Sequence, residues 1–218
     1  MKVCTDACIL GAWFAQKKLP FKTALDIGAG SGLLTLMLAQ KTTGELHAIE
    51  KDIPSFNQLE QNISQSKWRS RIKTFAGDAI SYPFPSEYDF IVCNPPFYEN
   101  DLKSWTKEKN LAKHDDGLTL AALMKVVDKN LAPDGSFGIL LPYHRTQEYE
   151  TLAATKGFHL LEKLLVKQTP NHGYFRSIQH FTRRDLQSPL VHELIIRDNG
   201  SRYSTAFTAL LKDYYLHL

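Results

Sequence analysis

Two short stretches hold residue types whose spacing could do chemistry. In Asp26-Ile-Gly28-Ala-Gly30-Ser31-Gly32, three glycines alternate with small residues directly after an apolar run. Glycine tolerates positive φ and lets a ligand approach the backbone closely, and a helix starting behind it aims unpaired N–H groups at that ligand. The pattern discriminates among nucleotide loops. A phosphate loop needs Gly-Lys-Ser/Thr, and no lysine follows Gly32; a dinucleotide loop needs GxGxxG, and Leu33 breaks that spacing. Glu50 closes the next apolar run, where a carboxylate can accept both hydroxyls of a ribose. A glycine-rich turn kept for packing alone is the competing reading. The second stretch is Asn94-Pro95-Pro96-Phe97. Two consecutive prolines remove two backbone donors and impose an extended, rigid turn, which by itself would do no more than stop a strand. An amide side chain directly before them is the more specific part.

These residues need a scaffold, and the chain around them alternates strand and helix. Strands are expected at 23–27, 45–50, 71–76 and 88–93, with helices at 33–40 and 54–65. The glycine loop then follows the first strand, Glu50 ends the second, Asp78 and Ala79 follow the third, and Asn94 follows the fourth. Such alternation builds βαβ units and a parallel sheet. Pro54 suits the first turn of its helix and Asp52 its N-cap. Residues 97–117 are polar and aperiodic, and a stretch of that kind in a compact domain tends to be functional or mobile, so a mobile substrate loop is expected there. Beyond it a helix is expected at 118–131, a turn at 133–135, a strand at 136–141 and a helix at 146–156 stopped by Gly157. The last third reads as strands at 158–167, 174–182 and 191–196, an antiparallel extension of the sheet, closed by a helix at 204–215 with Ser204 as N-cap. No linker splits the chain, so a single α/β domain spanning residues 1–218 is expected.

The GxGxG loop preceded by Asp26 resembles the cofactor loop of class I methyltransferases, which bind S-adenosylmethionine. The resemblance implies a Rossmann-like, doubly wound, mostly parallel seven-stranded sheet with an antiparallel C-terminal strand. It assigns Asp26, Gly28, Gly30, Ser31, Gly32 and Glu50 to the cofactor. It also places Asp78 and Ala79 in the loop over the adenine, where an Asp can accept from the exocyclic amine. Asn94-Pro95-Pro96-Phe97 resembles the (D/N/S)PP(Y/F/W) motif of amino-methyltransferases, which methylate a nitrogen conjugated to a π system. The lone pair of such a nitrogen is delocalised and poorly nucleophilic. On that resemblance the Asn94 amide oxygen and the Pro95 carbonyl accept from the NH2, aim its lone pair at the methyl-sulfonium and stabilise the developing cation. Pro96 completes the rigid turn and Phe97 stacks on the planar target. A cationic sulfur is a good leaving group, so neither metal nor strong base is needed.

Enzymes with this motif act on adenine N6, guanine N2, cytosine N4 or a protein glutamine. The glutamine methylases carry a helical domain ahead of the core, for which residues 1–22 leave no room. The ends of the chain narrow the choice. Met1-Lys2-Val-Cys4-Thr5-Asp6 followed by Leu10-Gly-Ala-Trp13 is similar to the MKVGTD…LLGAW segment of the bacterial tRNA1(Val) adenine-N6 methyltransferase family. So are LDIGAGSGLLTLMLAQ, the stretch 62–68, and the tail of Leu194-Ile-Ile-Arg-Asp198, Tyr203-Ser204 and residues 207–215. This resemblance implies adenosine 37 of tRNA(Val), in the anticodon loop, as substrate, and packs Lys2, Thr5 and Asp6 near the methionine half of the cofactor. Cys4 stands where the family has Gly, and Met1 falls inside the family pattern, which runs further upstream through an FxFKQF-like stretch. Part of the cofactor lid and a basic arm are therefore expected ahead of it. Guanine N2 of rRNA, a protein glutamine and a non-catalytic RNA-binding relic stay open as alternatives.

Composition sets the outer bounds. The chain is 43% apolar and 22% charged, ordinary for a soluble globular domain, and its 26 basic and 23 acidic residues give a net charge of +3. That balance neither demands nor excludes nucleic acid. Its distribution offers three places for RNA. Lys67, Arg69, Arg71 and Lys73 form a run that could be an RNA stripe, though it reads more readily as a charged edge strand that blocks edge pairing. Lys103, Lys107, Lys109 and Lys113 surround Trp105 in the loop after the proline motif. Lys167, His172, Arg176, Arg183 and Arg184 lie around a C-terminal strand pair. Cys4, Cys8 and Cys93 make no disulfide framework, which fits a reduced, cytoplasmic compartment. The eight histidines show no HxH or HxxxH spacing, so no metal is expected. The longest apolar run, 7–15, is too short to span a bilayer, and a monomer is expected.

Overall fold

The computed structural model describes residues 4–96, 118–185, 188–200 and 202–218. Strands β1 (Thr23–Ile27), β2 (Glu45–Glu50), β3 (Ile72–Ala76) and β4 (Tyr88–Cys93) run parallel. In β1, β2 and β4 nearly every residue is buried, the continuous pattern of a strand covered on both faces. They join β5 (Leu131–Pro142), β6 (His159–Lys167), β7 (Tyr174–Thr182) and β8 (Leu190–Ile195) in one eight-stranded sheet of order β3-β2-β1-β4-β5-β7-β6-β8. β7 is antiparallel to both of its neighbours. The eighth strand, one more than the resemblance implies, is β8, and it pairs with β6 in parallel rather than extending an antiparallel ribbon. Parallel pairing needs a crossover, and the chain makes it by running from β6 through β7 before returning to the edge.

Helices cover both faces because strand side chains alternate between them. α1 (Thr5–Gln16), α2 (Leu33–Ala39), α3 (Ile53–Ser64) and α6 (Thr205–Leu211) close one core with Phe90, Val92 and Ile178. α4 (Leu120–Asn130) and α5 (Thr146–Ala154) close the other with Ile27, Ile91 and Phe137. Ser204 caps α6 by accepting from the Phe207 amide at 3.0 Å. No helix among the described residues is long and apolar enough to cross a membrane.

Two elements differ from their sequence reading. The turn expected at 133–135 lies inside β5 as an irregularity: Tyr88 faces Leu131, and two residues later Phe90 already faces Ser136. Pro133 has no donor for the ladder, so the strand bulges past it and resumes pairing. The apolar run 7–15 forms the middle of α1 and is buried throughout, as befits a helix apolar all round. Its seat is tight. A Cβ on Gly138 of β5 would fall 2.2 Å from the Phe14 ring, so the strand carries glycine where the helix presses on it.

A buried ionic cluster fixes α1 to the far strands. Glu162 of β6 accepts from Lys17 Nζ at 2.7 Å and from His180 Nδ1 at 3.0 Å, with His192 Nε2 at 3.3 Å. Burial opposes ionisation of Glu162, but the bonds from His180 and Lys17 hold its carboxyl at about 2. Burial also holds His180 below the usual imidazole range despite that carboxylate, so its neutral ring donates through Nδ1. Lys17 lies 4.0 Å over the Trp13 ring, which edges both histidines.

Candidate functional site

The register brings the chemistry-bearing residues to one edge. Ile27 pairs with Ile49 of β2 and with Cys93 of β4. Gly28, Glu50 and Asn94 therefore emerge side by side at the carboxyl ends of adjacent strands, spaced at about 4.8 Å per strand. Glu50 in turn pairs with Ala76, and Gly77 donates to the Glu50 carbonyl at 2.9 Å, which sets Asp78 in the next loop along. β1 and β4 flank the point where the strand order reverses, and open α/β sheets hold their ligands in the crevice there.

The glycine loop serves two ends. Gly28, Gly30 and Gly32 have φ of 69°, 57° and 87°, the left-handed region that favours glycine. The amides of Gly28 and Ala29 both donate to the Ile49 carbonyl at 3.0 Å, curling the loop over β2. At Gly32 a Cβ would meet Leu59 of α3 at 2.7 Å, and Asn62 of the same helix donates to the Ser31 carbonyl at 2.8 Å. Gly32 is thus explained by packing. Gly28 is not: a Cβ there would meet no atom within 4 Å, so the loop's front faces open space.

Carboxylates line this loop. Glu50 accepts from the Gly30 amide at 2.7 Å and, through its other oxygen, from the Asp52 amide at 2.8 Å. An ionised carboxylate has roughly four acceptor positions, so about two remain for a ligand. Asp52 caps α3, accepting from the Ser55 amide at 3.0 Å, as its sequence position suggests. Asp78 accepts from the Ile80 amide at 2.9 Å and pairs with Lys51 at 3.1 Å; that backbone bond and the Lys51 charge hold its carboxyl below the usual range. Ala79 beside it is buried.

Asp26 points inward. It is 1% exposed, and one oxygen accepts from the Thr35 amide at 3.1 Å and hydroxyl at 2.6 Å, fastening the start of α2. The other oxygen is buried without a hydrogen-bond partner among the described residues. Burial pushes the carboxyl up to about 6; the Thr35 bonds pull it down and the Glu50 charge pushes it further up. A carboxyl raised in the native state from 3.8 favours folding below about pH 4, and that contribution is lost as pH rises through about 6. Asp26→Asn removes the titration. Melting curves between pH 4 and pH 7 are expected to show the wild type losing on the order of 3 kcal/mol relative to the variant.

At the end of β4, Asn94 is half-buried, Pro95 buried and Pro96 exposed. The Asn94 side-chain oxygen is shielded from solvent and has no hydrogen-bond partner among the described residues. Phe97 and Lys2 lie outside the described residues, as do the lysines and Trp105 of 97–117. Thr5 and Asp6 begin α1, and Asp6 accepts from Arg176 Nε at 2.7 Å. Arg176 faces Pro142 across the ladder, which puts Asp6 at the same edge of the sheet as Asn94.

The basic clusters separate. Arg71 spends its guanidinium on the carbonyls of Gly44 and Ala39, and Lys73 pairs with Glu45 at 2.6 Å, so this run trusses the edge strand β3. Arg183 and Arg184 follow Thr182, which faces Ser136 at the opposite edge of the sheet, and they pair with Asp128 and Asp134. Lys167 and Arg176 sit at the site's edge. Two residues escaped the sequence reading: Ile53 and Ile80, 57% and 51% exposed, stand shortly after Glu50 at the end of β2 and Asp78 in the loop after β3. An aliphatic residue in an otherwise polar strand-end loop was their only signal. Among the described residues no group of three or more His, Cys, Asp or Glu could hold a metal ion.

This arrangement matches known proteins. Residues 9–162 match the family model described as the methyltransferase small domain. A tRNA1(Val) (adenine(37)-N6)-methyltransferase of Dyadobacter fermentans is 36% identical over 99% of this chain and 91% of its own length. One of Shewanella halifaxensis is 34% identical over 100% of this chain and 94% of its own. Among solved structures, an Agrobacterium tumefaciens "predicted O-methyltransferase" superposes with a TM-score of 0.71 at 17% identity, covering 96% of each chain. A glycopeptide N-methyltransferase complexed with S-adenosylmethionine gives 0.62 at 12% identity, over 84% of this chain and 100% of that one. At those identities the structures speak for the fold, and the fold is that of a class I methyltransferase. With the full-length likeness of its relatives added, the chain belongs to the tRNA1(Val) (adenine(37)-N6)-methyltransferase family.

Proposed function

We propose that this protein transfers a methyl group from S-adenosylmethionine to N6 of adenosine 37 in tRNA(Val), acting as a monomer of one domain. The observation that carries the reading is the shielded Asn94 oxygen, which has no hydrogen-bond partner among the described residues and is held beside the glycine loop and Glu50. A buried acceptor without a donor is costly unless a ligand completes it. An exocyclic NH2 is the donor that fits, and the Pro95 carbonyl offers it a second acceptor.

The residues present fit the cofactor. Open space in front of Gly28 admits a ligand against the backbone, and Glu50 retains acceptor capacity for two ribose hydroxyls. Ile53 and Ile80 offer apolar flanks to a purine, and Asp78 an acceptor near its amine. Asp26 and Glu50 put negative charge on the side that would receive a cation, while Lys51 offsets that of Asp78. Bound there, S-adenosylmethionine supplies an electrophilic methyl on a positively charged sulfur and departs as S-adenosylhomocysteine. The work of the chain is orientation: Asn94 and Pro95 hold the target nitrogen with its lone pair free, and the rigid Pro95-Pro96 turn fixes that pose. Phe97 is assigned to stack on the base, and Lys2, Thr5 and Asp6 to the methionine half.

Incubation with unmodified tRNA(Val) and labelled cofactor, followed by nucleoside mapping, tests this. N6-methyladenosine at position 37 is expected. Label in guanine N2 of rRNA, label in a protein glutamine, or no transfer at all would overturn it.

A further inference from the structure

The antiparallel return of β7 brings residues from far along the chain back to the edge that carries Asn94. Tyr143 directly follows β5, in a short 3-10 turn whose backbone is fixed by the Thr146 hydroxyl donating to its carbonyl at 2.6 Å. Its ring lies 5.1 Å from that of Tyr174, the first residue of β7, tilted by 46°. Tyr174 is itself locked: its hydroxyl donates to Glu193 at 2.6 Å, and Lys167 stands 4.6 Å over its ring while pairing with the same carboxylate at 2.9 Å. Three strands thus hold the lower ring rigid, and the upper one rests on it facing solvent.

Tyr143 is the most exposed aromatic residue among those described, at 40%. Among the described residues the neighbouring rings of Phe175, Tyr203 and Tyr215 pack against the core, so a ring left open on a preorganised support calls for an occupant. Position supplies one. Cys93 is level with Ile139, so Asn94 is level with Leu140, and Tyr143 stands one strand across and three residues further out. At roughly 3.3 Å per residue and 4.8 Å per strand the separation is about 11 Å, within reach of the nucleotides beside a target base seated at Asn94. Glu193 neutralises Lys167, so the surface would grip by stacking rather than by charge.

We propose that Tyr143, seated on Tyr174, is the stacking platform for an unpaired nucleotide adjacent to the target adenosine. The proposal rests on the function assigned above, and it makes Tyr143 a substrate-recognition residue with no part in cofactor binding. Stacking a base on an aromatic side chain carries no sequence requirement, which suits a loop nucleotide.

An anticodon-arm RNA hairpin with 2-aminopurine beside the target position reports stacking by its fluorescence, independently of methyl transfer. Wild-type protein is expected to quench it. Tyr143→Ala is expected to lose the quench and to bind the hairpin about tenfold more weakly. Tyr143→Phe, which keeps the ring, is expected to retain both, and affinity for S-adenosylhomocysteine is expected to stay the same in all three. The ratio of wild-type to Tyr143→Ala affinity is expected to be independent of salt, since no phosphate contact is lost. Absence of quench in the wild type, equal quench in Tyr143→Ala, or a Tyr143→Phe variant as impaired as Tyr143→Ala would overturn the proposal. Quench with the expected variants but no methyl transfer would leave the platform standing and sink the catalytic reading instead.

Discussion

Replacing Asn94 with Ala is expected to lower methyl transfer by about two to three orders of magnitude, the effect of removing one well-placed acceptor or donor from a preorganised site. Affinity for S-adenosylhomocysteine should stay unchanged, because the contacts assigned to the cofactor lie on the glycine loop after β1, on β2, on the loop after β3 and at the start of α1, and none is assigned to the Asn94 side chain. Folding should also survive. The Asn94 oxygen has no hydrogen-bond partner among the described residues, so truncation removes a desolvated polar group rather than orphaning another of them. That separation makes the test sharp: turnover falls while melting temperature and product affinity hold. Asn94→Asp, which keeps an acceptor in place, should retain more activity than Asn94→Ala. If the two variants were equally active, or if Asn94→Ala turned over like the wild type, the role assigned to the amide oxygen would be wrong.

How far such residues were legible in the sequence depends on what surrounds them. The limits of β1, β2 and β4 follow directly from their apolar runs, since both faces are buried and turn residues end each run. The resulting register then places Gly28, Glu50 and Asn94 together without any further information. α1 was harder, because a helix buried on every side has no amphipathic period to betray it. Its ties to Glu162, some 145 residues away along the chain, are invisible in a linear reading. The basic residues divide for a similar reason. Arg176 and Arg183 are close in sequence, yet they sit at opposite ends of β7, and only the antiparallel pairing shows which end meets the site. Asp26 looked like a cofactor ligand by its motif alone. The fold spends one of its oxygens on Thr35, so any part it takes in binding passes through the other oxygen or through the placement of α2.

Glu50→Gln is expected to weaken S-adenosylhomocysteine binding by about two orders of magnitude. Hydrogen bonds to a charged group contribute roughly 1.5–3 kcal/mol each, and the carboxylate is assigned two ribose hydroxyls. The substitution also acts on the protein itself. Glu50 accepts from the amides of Gly30 and Asp52 with different oxygens. A glutamine can satisfy one of these amides with its carbonyl but turns an NH2 toward the other, so the glycine loop and the start of α3 lose a shared anchor. The two effects can be told apart with Asp52→Ala, which removes the cap of α3 and leaves the Glu50 carboxylate intact. That variant should melt earlier than the wild type while binding the product as tightly. Calorimetry on all three proteins decides the matter. Unchanged affinity in Glu50→Gln would remove the ribose from its list of partners. Equal loss in Asp52→Ala would transfer the effect from the carboxylate to the helix it helps to seat.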